Sequence, residues 1–296
     1  MRILVTGREG QVVRSLIERG AIAGTTIIPL GRPELELGGP GDAIANAIKA
    51  VEPDVIVSAA AYTAVDRAES EPDLAFAINE RGPGAVAATA HDLGVPLIHL
   101  STDYVFDGAG DRPYTEDDPT EPNTIYGASK LAGERAVLAG HDNSAVLRTA
   151  WVYSPFGSNF VKTMLRLAGD REEVSVVADQ RGNPTSALDI ADGVLAIAHN
   201  LQSGNDPAQR GLFHMTGAGE ASWAEFAEAI FDASAEAEGP TASVRHITTA
   251  DYPTAAKRPA SSRLNSNKTA EVHGVRLPEW RQSLKGVVAR VLQQGE

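Results

Sequence analysis

Residues 2–14, RILVTGREGQVVR, pass from an apolar run through two glycines into residues with helical spacing. A strand that is apolar on both sides belongs in a parallel sheet covered on both faces. A strand that turns through glycine into a helix brings backbone N–H groups and a helix N-terminus together, the arrangement that holds a pyrophosphate. Gly7 permits the tight turn and Gly10 lets the backbone approach a ligand. The third glycine usual in such loops serves helix–strand packing, and Val13 stands in its place. An ordinary strand-to-helix turn has the same two glycines, so the loop by itself leaves both readings open. Its position at the start of an alternating chain weighs for a nucleotide.

The alternation continues outward. TTIIPLG, DVIVSAAAY, VPLIHLSTDYVF and NSAVLRTAWVYS read as four further strands. Between them, GDAIANAIKAVEP, EPDLAFAINERGPGAVAATAHDLG and NTIYGASKLAGERAVLAG read as helical. Apolar strands alternating with helices predict an α/β fold with a Rossmann-like, doubly wound parallel sheet. The second half is less regular. It reads as a helix and strand in NFVKTMLRLAGDREEVSVV, a polar loop in ADQRGNPTS, a helix at 187–200, a strand and amphipathic helix in 211–239, and a Pro/Ser/Arg-rich tail ending in a short helix. The expected division is a cofactor-binding domain over 1–150 and a smaller, mixed α/β, mainly substrate-binding domain over 151–296. The helix at 187–200 is expected to pack back onto the first.

Composition limits the function. The 296 residues are 43% hydrophobic, enough for a sizeable core, and carry a net charge of −13. Such an acidic chain repels phosphate backbones, so neither nucleic acid nor an anionic membrane is an expected partner. The absence of cysteine excludes disulfides, thiol nucleophiles and thiolate metal sites. The N-terminal apolar run is too short for a signal peptide, and no apolar run approaches a membrane span. A cytoplasmic location is the expectation.

The helix NTIYGASKLAGER (Asn123–Arg135) sets Tyr126 and Lys130 on one face. An ammonium beside a phenol lowers its pKa from about 10, making the tyrosine a usable proton donor or acceptor near neutrality. The small residues between them leave room for a flat ligand. Thr102, at the end of the strand in HLSTDYVF, is placed to hydrogen-bond the same substrate oxygen, because ligands collect at strand C-terminal ends. A Tyr–Lys surface pair and a strand-end cap are the plain alternatives. After the second strand, PLGRPELEL carries Arg32 and no immediate acid. Arginine there suits a 2′-phosphate and hence NADPH, with NADH possible, and Glu36 is placed to contact ribose or adenine. A solvated surface arginine is the other reading.

TGREGQV, AAAYTAVDRAESEP, STDYVFDG, YTEDDPTEPNTIYGASKLAGE, LRTAWVYSPFGSNFVKTML, DQRGNPTSALDIAD and RPASSRLN follow in this order. Together they resemble the extended short-chain dehydrogenase/reductase superfamily and, within it, the dTDP-4-dehydrorhamnose reductase family, over nearly the whole chain. Relatives that act as 4,6-dehydratases follow Ser-Thr-Asp with glutamate. Here Tyr104 follows, which argues for plain ketone reduction. The resemblance implies NADPH-dependent reduction of the C4 ketone of dTDP-6-deoxy-L-lyxo-4-hexulose to dTDP-L-rhamnose, a surface polysaccharide precursor. Tyr126 would protonate the oxygen, Thr102 polarise it, and Lys130 hold the nicotinamide ribose and tune Tyr126. Another nucleotide-sugar 4-ketoreductase or epimerase, or a non-catalytic regulatory subunit on the same fold, are the alternatives.

By motif, the cofactor would meet Gly7, Arg8, Glu9, Gly10, Gln11 and Val12 in the loop, Arg32, Glu36 and Leu37 after the second strand, and Ala60, Ala61 and Thr63 after the third. Val65, Asp103, Tyr104 and Trp151 would line the sugar and nucleotide pocket, with Asn159, the DQRGNPT stretch and Arg258 toward the dTDP portion. Trp151 also reads as core, Arg258 and Arg263 as partners of surface acids, and Gln180 and Asn183 as turn-shaping residues. Some relatives dimerise through magnesium held by glutamates, one just after the glycine loop. Ser15 lies in that region here, so a monomer or homodimer without a bridging metal is expected.

Overall fold

The computed structural model describes residues 1–204 and 206–294. The first half winds as the apolar spacing predicts, through β1 (Arg2–Thr6), α1 (Gln11–Ile22), β2 (Thr26–Leu30), α2 (Gly41–Lys49) and β3 (Val55–Ser58). Short helices α3 (Val65–Ala68) and α4 (Pro72–Phe76) lead through a π-helical turn at Ala77–Arg81 into α5 (Gly82–Leu93). Then come β4 (Leu97–Thr102), α6 (Ile125–Gly140) and β5 (Ser144–Thr149). The rest comprises β6 (Val152–Tyr153), α7 (Phe160–Ala168), β7 (Glu173–Val177), β8 (Arg181–Gly182), β9 (Thr185–Ser186), α8 (Ala187–Ser203), β10 (Gly211–His214), β11 (Ala221–Ser222), α9 (Trp223–Glu236), β12 (Ser243–Ile247), α10 (Asn267–His273) and α11 (Trp280–Gln294).

Six strands form one sheet in the order β10-β5-β4-β3-β1-β2, every pair parallel. Alternate side chains serve opposite faces. Ile3 and Val5 meet Val13 and Leu16 of α1 and Ile190, Val194 and Ile197 of α8. Leu4 meets Ile44 and Ile48 of α2 and Val86 and Ala90 of α5. Both faces are therefore dry, the condition that parallel strands require. Val13 is 2% exposed within the first cluster, so the residue in place of a third glycine fills space at the helix–sheet contact. α8 and the sixth strand, β10, both come from beyond residue 150. A second core gathers α7, α9 and α11 around Phe226 and Trp280.

The strand order reverses between β1 and β3, and a crevice at their C-terminal ends is where open α/β sheets take ligands. Thr6 ties the two ends together, its Oγ1 accepting from the N–H groups of Ala59 and Ala60 at 3.0 Å. These bonds end β3 at Ser58, where the sequence suggests a strand through Tyr62. The fourth strand stops at Thr102, whose hydroxyl caps a 3₁₀ turn at Asp103–Val105. The fifth breaks at Trp151, which takes φ 47° between β5 and β6. β12 falls in a stretch without sequence assignment. It pairs in parallel with β7, and its half-exposed residues lack the apolar run that marks a buried strand.

Four buried histidines give the fold a pH dependence. His99, His141, His214 and His273 are each under 8% exposed, and desolvation holds all four below the usual imidazole value, His214 at about 3 and His273 at about 4. A base with a depressed folded pKa contributes stability above its unfolded value and loses it as pH falls. The expected result is a melting temperature that declines as pH drops below about 6.5, each neutral imidazole contributing about 1.4 kcal/mol per pH unit until its folded pKa is reached. Asp103, raised to about 6 by burial, opposes this below that pH. A melting temperature unchanged from pH 7.5 to 5 would contradict the assignment.

Candidate active site

The glycine loop leaves backbone donors free. Gly7 has φ +100°, a conformation glycine adopts at no steric cost. Its N–H reaches the Leu30 carbonyl at 2.7 Å, and a side chain at Gly31 would come within 3.2 Å of the Gly7 backbone. The N-cap of α1, Gly10, makes no side-chain capping bond, so among the described residues the first N–H groups of the helix have no side-chain cap. Of the expected contacts around the loop, Ala60 lies beside Gly7, while Arg8 pairs with Glu34 at 2.6 Å. Arg32 and Glu36 are exposed beyond β2, and Thr63 is exposed after β3. Leu37 is 6% exposed and packs in the core, so its side chain is a fold residue. Gln11 spends its amide inside the molecule: its Oε1 accepts from Ser154 and Asn159.

α6 begins at a Thr124 cap, whose Oγ1 accepts from the Gly127 N–H at 3.0 Å. The small residues along it are filled by protein rather than by ligand space. A side chain at Gly127 would sit 2.2 Å from the Tyr104 carbonyl, and one at Gly133 would sit 2.0 Å from the Asn79 carbonyl. This close approach brings Tyr126 edge-on to Tyr104, with ring centroids 5.6 Å apart. Thr102 donates to Asp103 Oδ1 at 2.9 Å.

The electrostatics of the tyrosine differ from the sequence expectation. Burial raises the Tyr126 pKa well above 10, opposed by the neighbouring Thr102 hydroxyl, with the Asp103 carboxylate adding to the rise. Tyr126 as a whole is half-buried. Desolvation outweighs any help from the ammonium, because Lys130 Nζ is directed instead at the Leu100 carbonyl, 2.7 Å away, and His99 Nε2, 3.3 Å away. Tyr126 is thereby held as a protonated acid. Burial lowers Lys130 to about 8, against the pull of Glu134.

Beyond Tyr104 opens a cavity of about 640 Å³ whose lining includes Asn123, Asp179, Tyr252, Lys257 and Arg258. Arg258 donates to the Tyr104 hydroxyl at 3.2 Å and pairs with Asp66, the residue after Val65. Tyr104 and Arg258 thus line the cavity, and Thr102, Asp103 and Tyr126 stand behind Tyr104. Arg258 serves both readings at once, pairing with an acid and facing the cavity. Trp151 lies flat on Trp223, centroids 3.6 Å apart, and a side chain at Gly182 would strike its indole at 2.4 Å. Asn159 is bonded within the protein. Its Oδ1 caps α7 and its Nδ2 donates to Gln11 Oε1, Ser154 O and Phe156 O. Asn183 shapes a turn, bonding Gly219 O and Leu264 N at 2.7 Å, and Arg263 pairs with Glu220. Gln180 donates to Thr249 beside the cavity.

Sequence reasoning missed three groups. Asn79, wholly buried in the π-helical turn, donates to Tyr62 O and Ser129 Oγ, joining the loop after β3 to α6. His99 touches Lys130. Glu134, one turn beyond Lys130, receives Ser101 Oγ at 2.5 Å and both Nε and Nη2 of Arg148 at 2.9 and 2.7 Å. The only signal for Glu134 was its spacing of four from Lys130. Among the described residues, no group of three or more His, Asp or Glu is placed to hold a metal ion.

Comparison with known proteins places this geometry in context. The family model described as RmlD substrate binding domain matches residues 1–293. The chain is 50% identical over 296 residues to the dTDP-4-dehydrorhamnose reductase of Sinorhizobium fredii, covering 100% of this chain and 99% of that one. It is 40% identical to that of Escherichia coli over 96% of each chain. Among solved structures, a dTDP-4-dehydrorhamnose reductase of Clostridium acetobutylicum superposes with a TM-score of 0.91 at 37% identity, over 99% of this chain and 100% of that one. The Bacillus anthracis enzyme in complex with NADP gives 0.89 at 35% identity, over 97% and 98%.

Proposed function

The chain belongs to the RmlD substrate binding domain family, and we propose that it reduces the C4 ketone of dTDP-6-deoxy-L-lyxo-4-hexulose to dTDP-L-rhamnose with NADPH, feeding surface polysaccharide synthesis. The observation that carries this reading is the edge-on contact of Tyr126 with Tyr104, which lines a cavity of about 640 Å³ together with Arg258, while the Thr102 hydroxyl accepts from the Tyr104 N–H. That volume is within the ordinary range of small-molecule sites.

The residues present fit the cofactor. The uncapped N-terminus of α1 and the turn at Gly7 offer donors for a pyrophosphate. When bound, NADPH supplies the hydride. Tyr126 gives its proton to the C4 oxygen, and burial keeps that proton in place until charge develops there. Thr102, beside the phenol, turns its one hydroxyl proton from Asp103 Oδ1 to the same oxygen and polarises the carbonyl. Lys130 holds the nicotinamide ribose with its ammonium. Tyr104 follows Asp103 where a dehydratase carries glutamate, so no second acid–base group attends an elimination.

Residues 1–150 supply the cofactor side and 151–296 mainly the substrate side. A monomer or a homodimer without a bridging metal agrees with Ser15, which is wholly buried with its hydroxyl on Gln11 O. Among the described residues no helix is long and apolar enough to cross a membrane, and the proposed location is the cytoplasm. Turnover with NADPH deuterated at both C4 positions tests the chemistry. Deuterium should appear at C4 of the product sugar, and its absence would sink the proposal.

Arg32 is the proposed 2′-phosphate ligand, exposed directly after Gly31 at the end of β2. Arg32→Ala should weaken NADPH binding about tenfold, the value of one charge-assisted bond, and leave NADH within about twofold. Equal losses for both cofactors would remove the role.

A further inference from the structure

Lys130 is 2% exposed, and its ammonium has two protein acceptors, the Leu100 carbonyl at 2.7 Å and His99 Nε2 at 3.3 Å. His99 is wholly buried in β4, and its other ring nitrogen lies 3.1 Å from Ser58 Oγ at the end of β3. The ring lies against α6 at Gly133, where a Cβ would stand 3.7 Å from Nε2, an ordinary contact.

An ammonium has three donors and no acceptor, whereas a neutral imidazole has one of each. Facing an ammonium, Nε2 must present its lone pair, so the ring proton sits on Nδ1 and is donated to Ser58. We propose that His99 is a positioning residue for Lys130. Anchored by Ser58 in the Nδ1–H tautomer, it fixes the ammonium so that the third N–H points to the cofactor ribose. One acceptor would leave the ammonium free to swing on a flexible four-carbon stem; two acceptors fix the direction of the third donor. Burial and the Lys130 charge both hold His99 well below the usual imidazole value, which agrees with a neutral ring beside a charged lysine. Glu134 on α6 favours the charged lysine, and the facing group on β3 is the neutral Ser58. The inference rests on the reading of Lys130 as the ribose-holding residue.

The experiment compares His99→Leu, which removes the acceptor, with His99→Gln, whose amide oxygen can occupy the Nε2 position. NADPH dissociation constants are measured by fluorescence titration without sugar, and kcat is measured with the keto sugar. His99→Leu should weaken NADPH binding and lower kcat by about tenfold each, the cost of one hydrogen bond to a charged group. His99→Gln should recover both to within about threefold. Equal losses in the two variants, or unchanged binding in His99→Leu, would overturn the proposal. If His99→Leu does not fold, the ¹⁵N resonances of wild-type histidines decide: a His99 proton on Nδ1 at pH 7 supports the proposal, and one on Nε2 overturns it. Because binding is read without sugar, wild-type protein that binds NADPH without turnover counts against the reductase reading alone, and the variant contrast still judges His99. Wild-type protein that does not bind NADPH overturns both.

Discussion

Tyr126→Phe should bind NADPH as wild type does and lose about 10³-fold in kcat, the range for a positioned general acid. The substitution removes one oxygen and leaves the ring, so the edge contact with Tyr104 and the packing of α6 persist. The lost hydroxyl is the group that burial keeps protonated beside Thr102. Thr102 cannot replace it, because a hydroxyl polarises an oxygen without readily giving up its proton near pH 7. Steady-state kinetics with a parallel NADPH titration check this. A kcat near wild type would remove Tyr126 from the role.

Glu134→Gln should cost about 3–5 kcal/mol of stability, the usual penalty for stranding one member of a buried ion pair. Glu134 and Arg148 have side chains only 3% exposed, and Arg148 also lies over the Phe106 ring at 4.9 Å. With an amide opposite it, the guanidinium stays charged and desolvated. The double variant Glu134→Leu/Arg148→Met should recover much of the loss, since no charge is then stranded. Urea midpoints for the three proteins measure the effect. A single variant within about 1 kcal/mol of wild type would contradict a tightly desolvated pair. Because Ser101 adjoins Thr102 and shares Glu134, the same network clamps α6 to β4.

What could be read from the residues follows from which interactions are local. Apolar runs and helical spacing gave the sheet, because dry parallel strands need continuous hydrophobic sequence. The Tyr126–Lys130 pair was legible because both sit on one helix. The breaks at Ser58, Thr102 and Trp151 were not, since each depends on a partner distant in sequence: Thr6 draws away the amides of residues 59 and 60, and Trp151 turns to lie on Trp223. The Tyr126 pKa was misread for the same reason. Spacing shows that an ammonium is near, but only the fold shows that His99 and the Leu100 carbonyl claim it and that burial dominates. The tie between Asn159 and Gln11 was not legible either, because the two are distant in sequence.

The central claim is ketone reduction at C4 by this set of residues. Its most direct test follows NADPH absorbance with enzymatically made dTDP-6-deoxy-L-lyxo-4-hexulose, with NADH in parallel and the product identified. The expected result is NADPH oxidation matched mole for mole by dTDP-L-rhamnose, faster than with NADH. Tight NADPH binding with no oxidation when this sugar is added would contradict it.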